Sequence, residues 1–262
     1  MLSVLDIFKG FLSELCVSMK TCALIPARLG STRLANKLLI DLEGKPVIQR
    51  TFEATRATGL FSDIYVVTDS DEIAAVIESC GGTVLRSTEV FQSGTDRIAA
   101  AAVGLEADVF VNVQGDEPFV EKTPLARLLE LFEDDSVQVA SLRKPLYEQK
   151  LIDSPNIVKV VCDRNNDALL FSRSMIPYVR NTEVHITHYQ HIGVYAFRKA
   201  ALRLFTELPQ SELEQVEQLE QLRFLENGIR IRMATVYEMG IGIDVAEDVA
   251  RARAYLRSLA AQ

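Results

Sequence analysis

Between Leu24 and Lys37 the chain sets Arg28, Arg33 and Lys37 beside Gly30, Ser31 and Thr32. Backbone N–H groups and hydroxyls supply directed donors, and the cations supply charge, which is the equipment of a phosphate cradle. These cations stand out because the whole chain is acidic, with a formal net charge of -8. Carboxylates follow at two other places. In Val111–Pro118, Asp116 comes directly after an apolar run, and Gly115 lets the backbone approach a ligand. A carboxylate there suits Mg²⁺ on a triphosphate; Asp116 and Glu117 serve equally as caps of the next element. In Gly240–Asp244 the second candidate, Asp244, competes with a capping box, Asp244 at N-cap and Glu247 at N3. The segment 91–97 offers Ser93, Gly94 and Arg97, either as a helix start capped by Ser93 or Thr95, or as contacts to a base or ribose. Glu214, Glu217 and Glu220 step by three, so on one helix the outer two differ by about 120° and cannot all face one pocket; a solvated face is the ordinary reading of such a run. His185, His188 and His191 lie close in sequence without completing a zinc ligand set.

The elements that must position these residues alternate. Apolar strands read as Cys22–Ile25, Ile64–Thr68, Thr83–Leu85 and Val109–Val113, with helices over about Val47–Thr58, Glu72–Cys80 and Thr95–Leu105. Near-continuous Val/Ile/Leu strands separated by helices predict an open, mostly parallel α/β sheet with helices on both faces. Ligands of such sheets bind at the carboxyl ends of strands, where the cationic loop, Thr68-Asp69 and Gln114–Glu117 all fall. From about 138 to 197 the strands Val139–Arg143, Ile157–Cys162, Ala168–Phe171 and His191–Phe197 follow with little helix, which reads as an antiparallel insertion and a dimer surface. Helices Lys199–Leu208 and Glu212–Asn227, a strand Ile229–Tyr237 and a helix from Val245 close the chain. Residues 19–262 thus form one domain of a 262-residue chain. Residues 1–18 lack the pattern of a signal peptide and are too charged to span a bilayer; they read as an extension ahead of Met19, or as a short amphipathic helix. The acidic balance argues against a nucleic-acid partner bound by a basic face. The cysteines, Cys16, Cys22, Cys80 and Cys162, form no C-x-x-C pair and read as reduced, buried thiols.

Taken together, the runs PARLGSTRLANK, VVTDSDE, QSGTDRI, VNVQGDEP, ALLFSRSMIP, HIGVYAFRK, LEQVEQLEQLRFLENG and GIGIDVAEDV resemble the sugar-activating cytidylyltransferases, most closely the CMP-Kdo synthetases (3-deoxy-manno-octulosonate cytidylyltransferases). The resemblance runs from Met19 to the last helix. It implies a nucleotide-diphospho-sugar transferase-like fold and a cytoplasmic, Mg²⁺-using homodimer. The anomeric 2-hydroxyl of Kdo, a 2-keto sugar acid, would attack the α-phosphate of CTP, giving CMP-Kdo for lipopolysaccharide and releasing pyrophosphate. Arg28, Ser31, Thr32, Arg33 and Lys37 would hold the triphosphate, with Thr68, Asp69, Ser93, Gly94 and Arg97 also on the nucleotide side. Asp116 and Asp244 would coordinate the metal; with Arg28 and Lys37 they form the implied catalytic set. Gln114, Arg173, His191, Tyr195, Glu220 and Gln221 would line the sugar pocket, Arg173 facing the sugar carboxylate. Rival readings are a cytidylyltransferase for 8-amino-Kdo or a sialic-type sugar, and a catalytically silent nucleotide-binding protein. The chain departs from the family pattern twice. Leu34-Ala35-Asn36-Lys37 stands where Leu-Pro-Gly-Lys is usual, and Asn36, next-best to glycine in the left-handed region, is expected to keep the loop's shape. Val245-Ala246 replaces Thr-Pro, which predicts a weaker helix start.

Overall fold

The structure, a computed structural model, describes residues 19–30, 34–87, 89, 91 and 94–260. The expected extension 1–18 and Cys16 lie outside them. The first half alternates strand and helix: β1 (Thr21–Ala27), α1 (Val47–Ala57), β2 (Asp63–Thr68), α2 (Asp71–Ser79), β3 (Thr83–Arg86), α3 (Gly94–Ala102) and β4 (Val109–Asn112). β1 pairs in parallel with β2 on one side and β4 on the other, and β2 pairs in parallel with β3. The strand order β3-β2-β1-β4 therefore switches direction between β1 and β4, the place where such sheets open a crevice. α2 is capped by Ser70, whose hydroxyl accepts from Ile73 N–H. It ends at Gly81, φ 76°, a left-handed position that suits glycine.

The second half runs α4 (Lys122–Glu130), β5 (Val139–Leu146), α5 (Gln149–Asp153), β6 (Lys159–Cys162), β7 (Ala168–Ser172), β8 (His188–Arg198), α6 (Lys199–Glu207), α7 (Glu212–Glu217), α8 (Leu222–Glu226), β9 (Ile231–Thr235) and α9 (Ala246–Ala260). The sequence placed the strands of 138–197 beside the parallel sheet, whereas β5 and β8 lie within it. β8 runs antiparallel between β4 and β5, and β5 pairs in parallel with β9. Their runs Val139–Leu142 and Val194–Phe197 are buried, as interior strands require. The β6–β7 hairpin joins β8 through Lys159 opposite Gln190. Two cores result. One packs Ile48, Phe52, Ile73, Leu128 and Val249 under one face of the sheet. The other packs Ile98, Leu202, Phe205 and Phe224 on the opposite face.

A helix expected over Glu212–Asn227 is instead two helices. Gln218 adopts φ 55°, ψ 48° at the end of α7, and a turn intervenes before α8. The three glutamates consequently take three different partners rather than forming a solvated face. Glu214 meets Arg223, Glu217 meets Ser172, and Glu220 meets Thr95. Of the described cysteines only Cys22 is fully buried, with Cys80 and Cys162 half-buried, and all three are free thiols. Burial pushes the Cys22 thiol up to about 12. No helix among the described residues is long and apolar enough to cross a membrane.

Candidate functional site

A crevice of about 260 Å³ opens at the carboxyl ends of β1 and β4. Its walls include Arg28, Gly30, Lys37, Gly94, Arg97, Gln114, Asp116 and Asp244. Three chain segments bring these groups together. The loop after β1 carries Arg28 and then Asn36, which takes φ 50°, ψ 32° ahead of a 3-10 turn at Lys37–Leu39. The asparagine thus adopts the left-handed shape usually left to glycine. The loop after β4 carries Gln114 and Asp116. At Gly115 a Cβ would lie 2.8 Å from the Pro26 carbonyl oxygen, so only glycine lets this loop lie against the end of β1. The segment before α9 delivers Asp244.

Lys37 joins the last two. Its Nζ donates to Asp116 Oδ2 in a short contact and to Asp244 Oδ1 at 3.1 Å. Burial opposes the lysine's charge, but Asp116 and then Asp244 outweigh it and hold its pKa above the ordinary value. Asp248, rather than Glu247, supplies the reach-back contact at this helix start, its Oδ2 accepting from the N–H groups of Asp244 (2.9 Å) and Val245 (3.0 Å). Burial disfavours the Asp248 anion, yet those N–H groups and Arg251 keep its pKa below the usual carboxylate range. Asp248 thus braces the turn into α9, while Asp244 reaches Lys37.

Sequence reasoning treated Glu117 only as a cap. Its carboxyl is buried beside Asp116 and Asp244, which pushes its pKa up to about 8; burial dominates, and Lys37 opposes. A like charge two residues into a strand-end loop is the signal that could have found it. Asp248, at the third helical position of α9, was legible as a reach-back cap once the helix start was known.

On the nucleotide side, Arg97 is nearly buried, its Nη2 3.4 Å from Asp69 Oδ2 and its guanidinium 5.5 Å from the Phe91 ring centre. Asp69 and Thr68 do not line the crevice. Asp69 reaches it only through Arg97, and the Thr68 hydroxyl is occupied by Ser70 N–H. Thr95 does not cap α3 with its hydroxyl, which donates to Glu220 Oε1 at 2.8 Å. Ser31, Thr32, Arg33 and Ser93 lie outside the described residues.

Of the expected sugar-side residues, Gln114 alone lines the crevice, donating to Gly193 O at 3.2 Å. The others form a neighbouring cluster on β7, β8 and the α7–α8 turn. His191 stands against Phe171 and Tyr195, with ring centres at 4.9 and 5.3 Å, and its Nε2 is 3.0 Å from Ser141 Oγ. Burial lowers the His191 pKa to about 3, so the ring is neutral. Tyr195 is held well above the ordinary tyrosine value by burial and then by Glu220. Tyr195 Oη and Gln221 Nε2 are buried without a hydrogen-bond partner among the described residues. Arg173 donates from Nε to Glu217 O (2.8 Å) and from Nη1 to Pro155 O (3.1 Å). The Thr95–Glu220 bond links this cluster to the crevice.

The cytidylyltransferase family profile matches residues 22–231. A 3-deoxy-manno-octulosonate cytidylyltransferase from Flavobacterium johnsoniae is 51% identical over 244 residues, covering 92% of this chain and 100% of that one. The protein of the same name from Christiangramia forsetii is 46% identical over 237 residues, covering 89% and 96%. Among solved structures, a CMP:2-keto-3-deoxy-manno-octonic acid synthetase complexed with CTP superposes with a TM-score of 0.87 at 36% identity, covering 92% of this chain and 99% of that one. A 4-diphosphocytidyl-2C-methyl-D-erythritol synthase from Anaerococcus prevotii, at 16% identity and a TM-score of 0.63 over 91% of this chain and 99% of that one, shares the fold.

Proposed function

The chain belongs to the 3-deoxy-manno-octulosonate cytidylyltransferase family, and from that premise we propose how its residues divide the work. The enzyme activates Kdo by taking CMP from CTP and releasing pyrophosphate, for lipopolysaccharide synthesis. Displacement at phosphorus needs little covalent help, so positioning and charge neutralisation carry the catalysis. Arg28 and Lys37, with Ser31, Thr32 and Arg33, hold the triphosphate. Ser93, Gly94 and Arg97 receive the nucleoside, and Asp69 orients Arg97.

Asp116 and Asp244 hold a divalent cation, which we take to be Mg²⁺. The support is that both carboxylates already reach one cationic atom, Lys37 Nζ. Their hard oxygens suit the ion, although among the described residues no group of three or more ligating side chains forms a complete cage; the nucleotide's phosphate oxygens complete the donor set. When bound, the ion neutralises phosphate charge and polarises the reacting phosphoryl group. Arg173 faces the sugar carboxylate, since its guanidinium has carbonyl partners only and keeps its charge unneutralised. Neutral His191, Tyr195, Gln114, Glu220 and Gln221 bind sugar hydroxyls.

A homodimer is the assembly we propose. Tyr147, Tyr178, Val184 and Ile186 are 80%, 78%, 60% and 50% exposed near the far ends of β5 and β8, an apolar surface that a second copy would cover. The cytoplasm, where CTP is made, is the proposed compartment.

The observation that carries this reading is the Lys37 bridge between Asp116 and Asp244 inside a crevice lined by Arg28 and Arg97. Pyrophosphate release from CTP is the test, with Kdo, 8-amino-Kdo and a sialic acid offered in parallel, each with Mg²⁺ and with excess chelator. Metal-dependent release with Kdo is expected. Release with another sugar alone moves the error to the pocket around Arg173. Binding of CTP without release from any sugar establishes a silent binder instead.

A further inference from the structure

Lys159 opens β6 with no exposed surface, and its ammonium meets only backbone carbonyls. Nζ donates to Ser154 O at 2.9 Å, to Ile157 O at 2.7 Å and, in a short contact, to Arg173 O. Burial pulls its pKa below the ordinary lysine value, with Glu217 and Asp153 opposing. A buried ammonium on neutral acceptors is costly, and an apolar residue of similar length would avoid that cost. Packing alone therefore does not account for a lysine here.

What the three carbonyls share is Arg173. The loop 154–157 that Lys159 gathers also presents Pro155 O to Arg173 Nη1. The third carbonyl belongs to Arg173 itself. From the other side Glu217 takes the Arg173 N–H at 3.0 Å on one carboxylate oxygen and the Ser172 hydroxyl at 2.6 Å on the other, while Glu217 O takes Arg173 Nε. The main chain of Arg173 is thus pinned by Lys159 and Glu217. No carboxylate among the described residues forms an ion pair with either cation. Glu217 and Asp153 act on Lys159 only at a distance, and the Arg173 guanidinium donates to carbonyls, so no carboxylate closes it off from an incoming anion.

We propose that Lys159 is a positioning residue for sugar-acid recognition: it fixes the backbone of Arg173 and the loop 154–157, so that the guanidinium is presented to the substrate carboxylate. The proposal rests on the reading that Arg173 meets that carboxylate. Its mark is a split between substrates, because the CTP crevice contains neither Lys159 nor Arg173.

The test compares Lys159→Met, Arg173→Met and the double variant, with steady-state KM for Kdo and for CTP and a thermal midpoint for each. Lys159→Met is expected to raise KM for Kdo about 10- to 100-fold, the scale of one charge-assisted hydrogen bond. KM for CTP should stay within about twofold. The double variant should bind Kdo no worse than Arg173→Met, because the two residues act as one unit. Additive losses overturn the proposal, as does a rise in both KM values or a fall in active fraction alone. If Lys159→Met does not fold, Lys159→Gln, which keeps a neutral donor, is measured in the same way and must show the same substrate split. An Arg173→Met enzyme with unchanged KM for Kdo removes the site reading and this proposal with it. An impaired Arg173→Met beside an unimpaired Lys159→Met removes this proposal only.

Discussion

Around Lys37 the charged side chains stay partly open to water: Lys37 is 17% exposed, Asp116 26% and Asp244 53%. Around Arg223 they are shut in, with Arg223 4% exposed and its partner Glu214 6%, at 2.5 Å. Arg223 also donates to Phe205 O and lies over the Phe205 ring at 4.0 Å. Both clusters join a cation to two carboxylates, Arg223 having Asp96 at 3.7 Å besides Glu214, yet they suit different work. The first can exchange partners with an incoming anion or cation, because water reaches every member. The second cannot, since removing either partner strands a charge in the interior. It ties α7 to α8 across the Gln218 turn, the turn that holds Glu220 and Gln221. The proposed phosphate side thus holds charges that can be re-partnered, and the proposed sugar side rests on a buried frame.

The contrast is open to breaking. Asp244→Asn should lower kcat/KM for pyrophosphate release on the order of 10²- to 10³-fold. Because Asp248 braces the start of α9 and asparagine caps as well as aspartate, the same variant should keep its thermal midpoint within about 2 °C; a large drop would show that the crevice charges are structural too. Arg223→Met should cost roughly 3 kcal/mol in urea unfolding, by stranding buried Glu214. A loss below about 1 kcal/mol would place Arg223 with exposed pairs and erase the distinction. Glu117→Gln sharpens the picture through pH. The folded-state pKa of Glu117, about 8, lies above its unfolded value. Its contribution to stability is therefore complete below the unfolded pKa and is lost as pH rises through about 8. Over that window the metal-free wild type should lose on the order of 2 kcal/mol that Glu117→Gln does not lose, as read from chemical unfolding at several pH values.

The strands were legible because half-buried and buried strands leave apolar runs, and every predicted run coincides with one of the nine strands of the described residues to within a few residues. Their order was not. Whether Val139–Leu146 and His188–Arg198 lie beside the sheet or within it depends on pairing partners distant in sequence, which local pattern does not encode. The break at Gln218 was hidden for a related reason. Apolar spacing continues through Leu219 and Leu222, so only the left-handed backbone reveals the turn. At the site, Arg28, Lys37, Gly94, Arg97, Gln114, Asp116 and Asp244 do meet in one crevice. Residue type and position at strand ends or at the start of α3 pointed to them, while the choice between cap and ligand for Asp116 and Asp244 came only with the resemblance. Glu117 escaped notice because its character comes from burial against two aspartates, a property of the packed chain. Arg173 was placed against the sugar carboxylate by the resemblance alone, and the carbonyls of Pro155 and Glu217 that orient it lie on other elements.

The Lys37 bridge draws on the beginning, the middle and the far end of the domain. Its last member, Asp244, follows β9, which adds to the outer side of β5 after every other strand has been made. As the polypeptide emerges from the ribosome, Lys37 and Asp116 can meet long before Asp244 is available. A prematurely terminated chain can therefore pair Lys37 with Asp116 while lacking the second carboxylate. On the proposed assignment, the two-carboxylate site is complete only with almost the final stretch of translation.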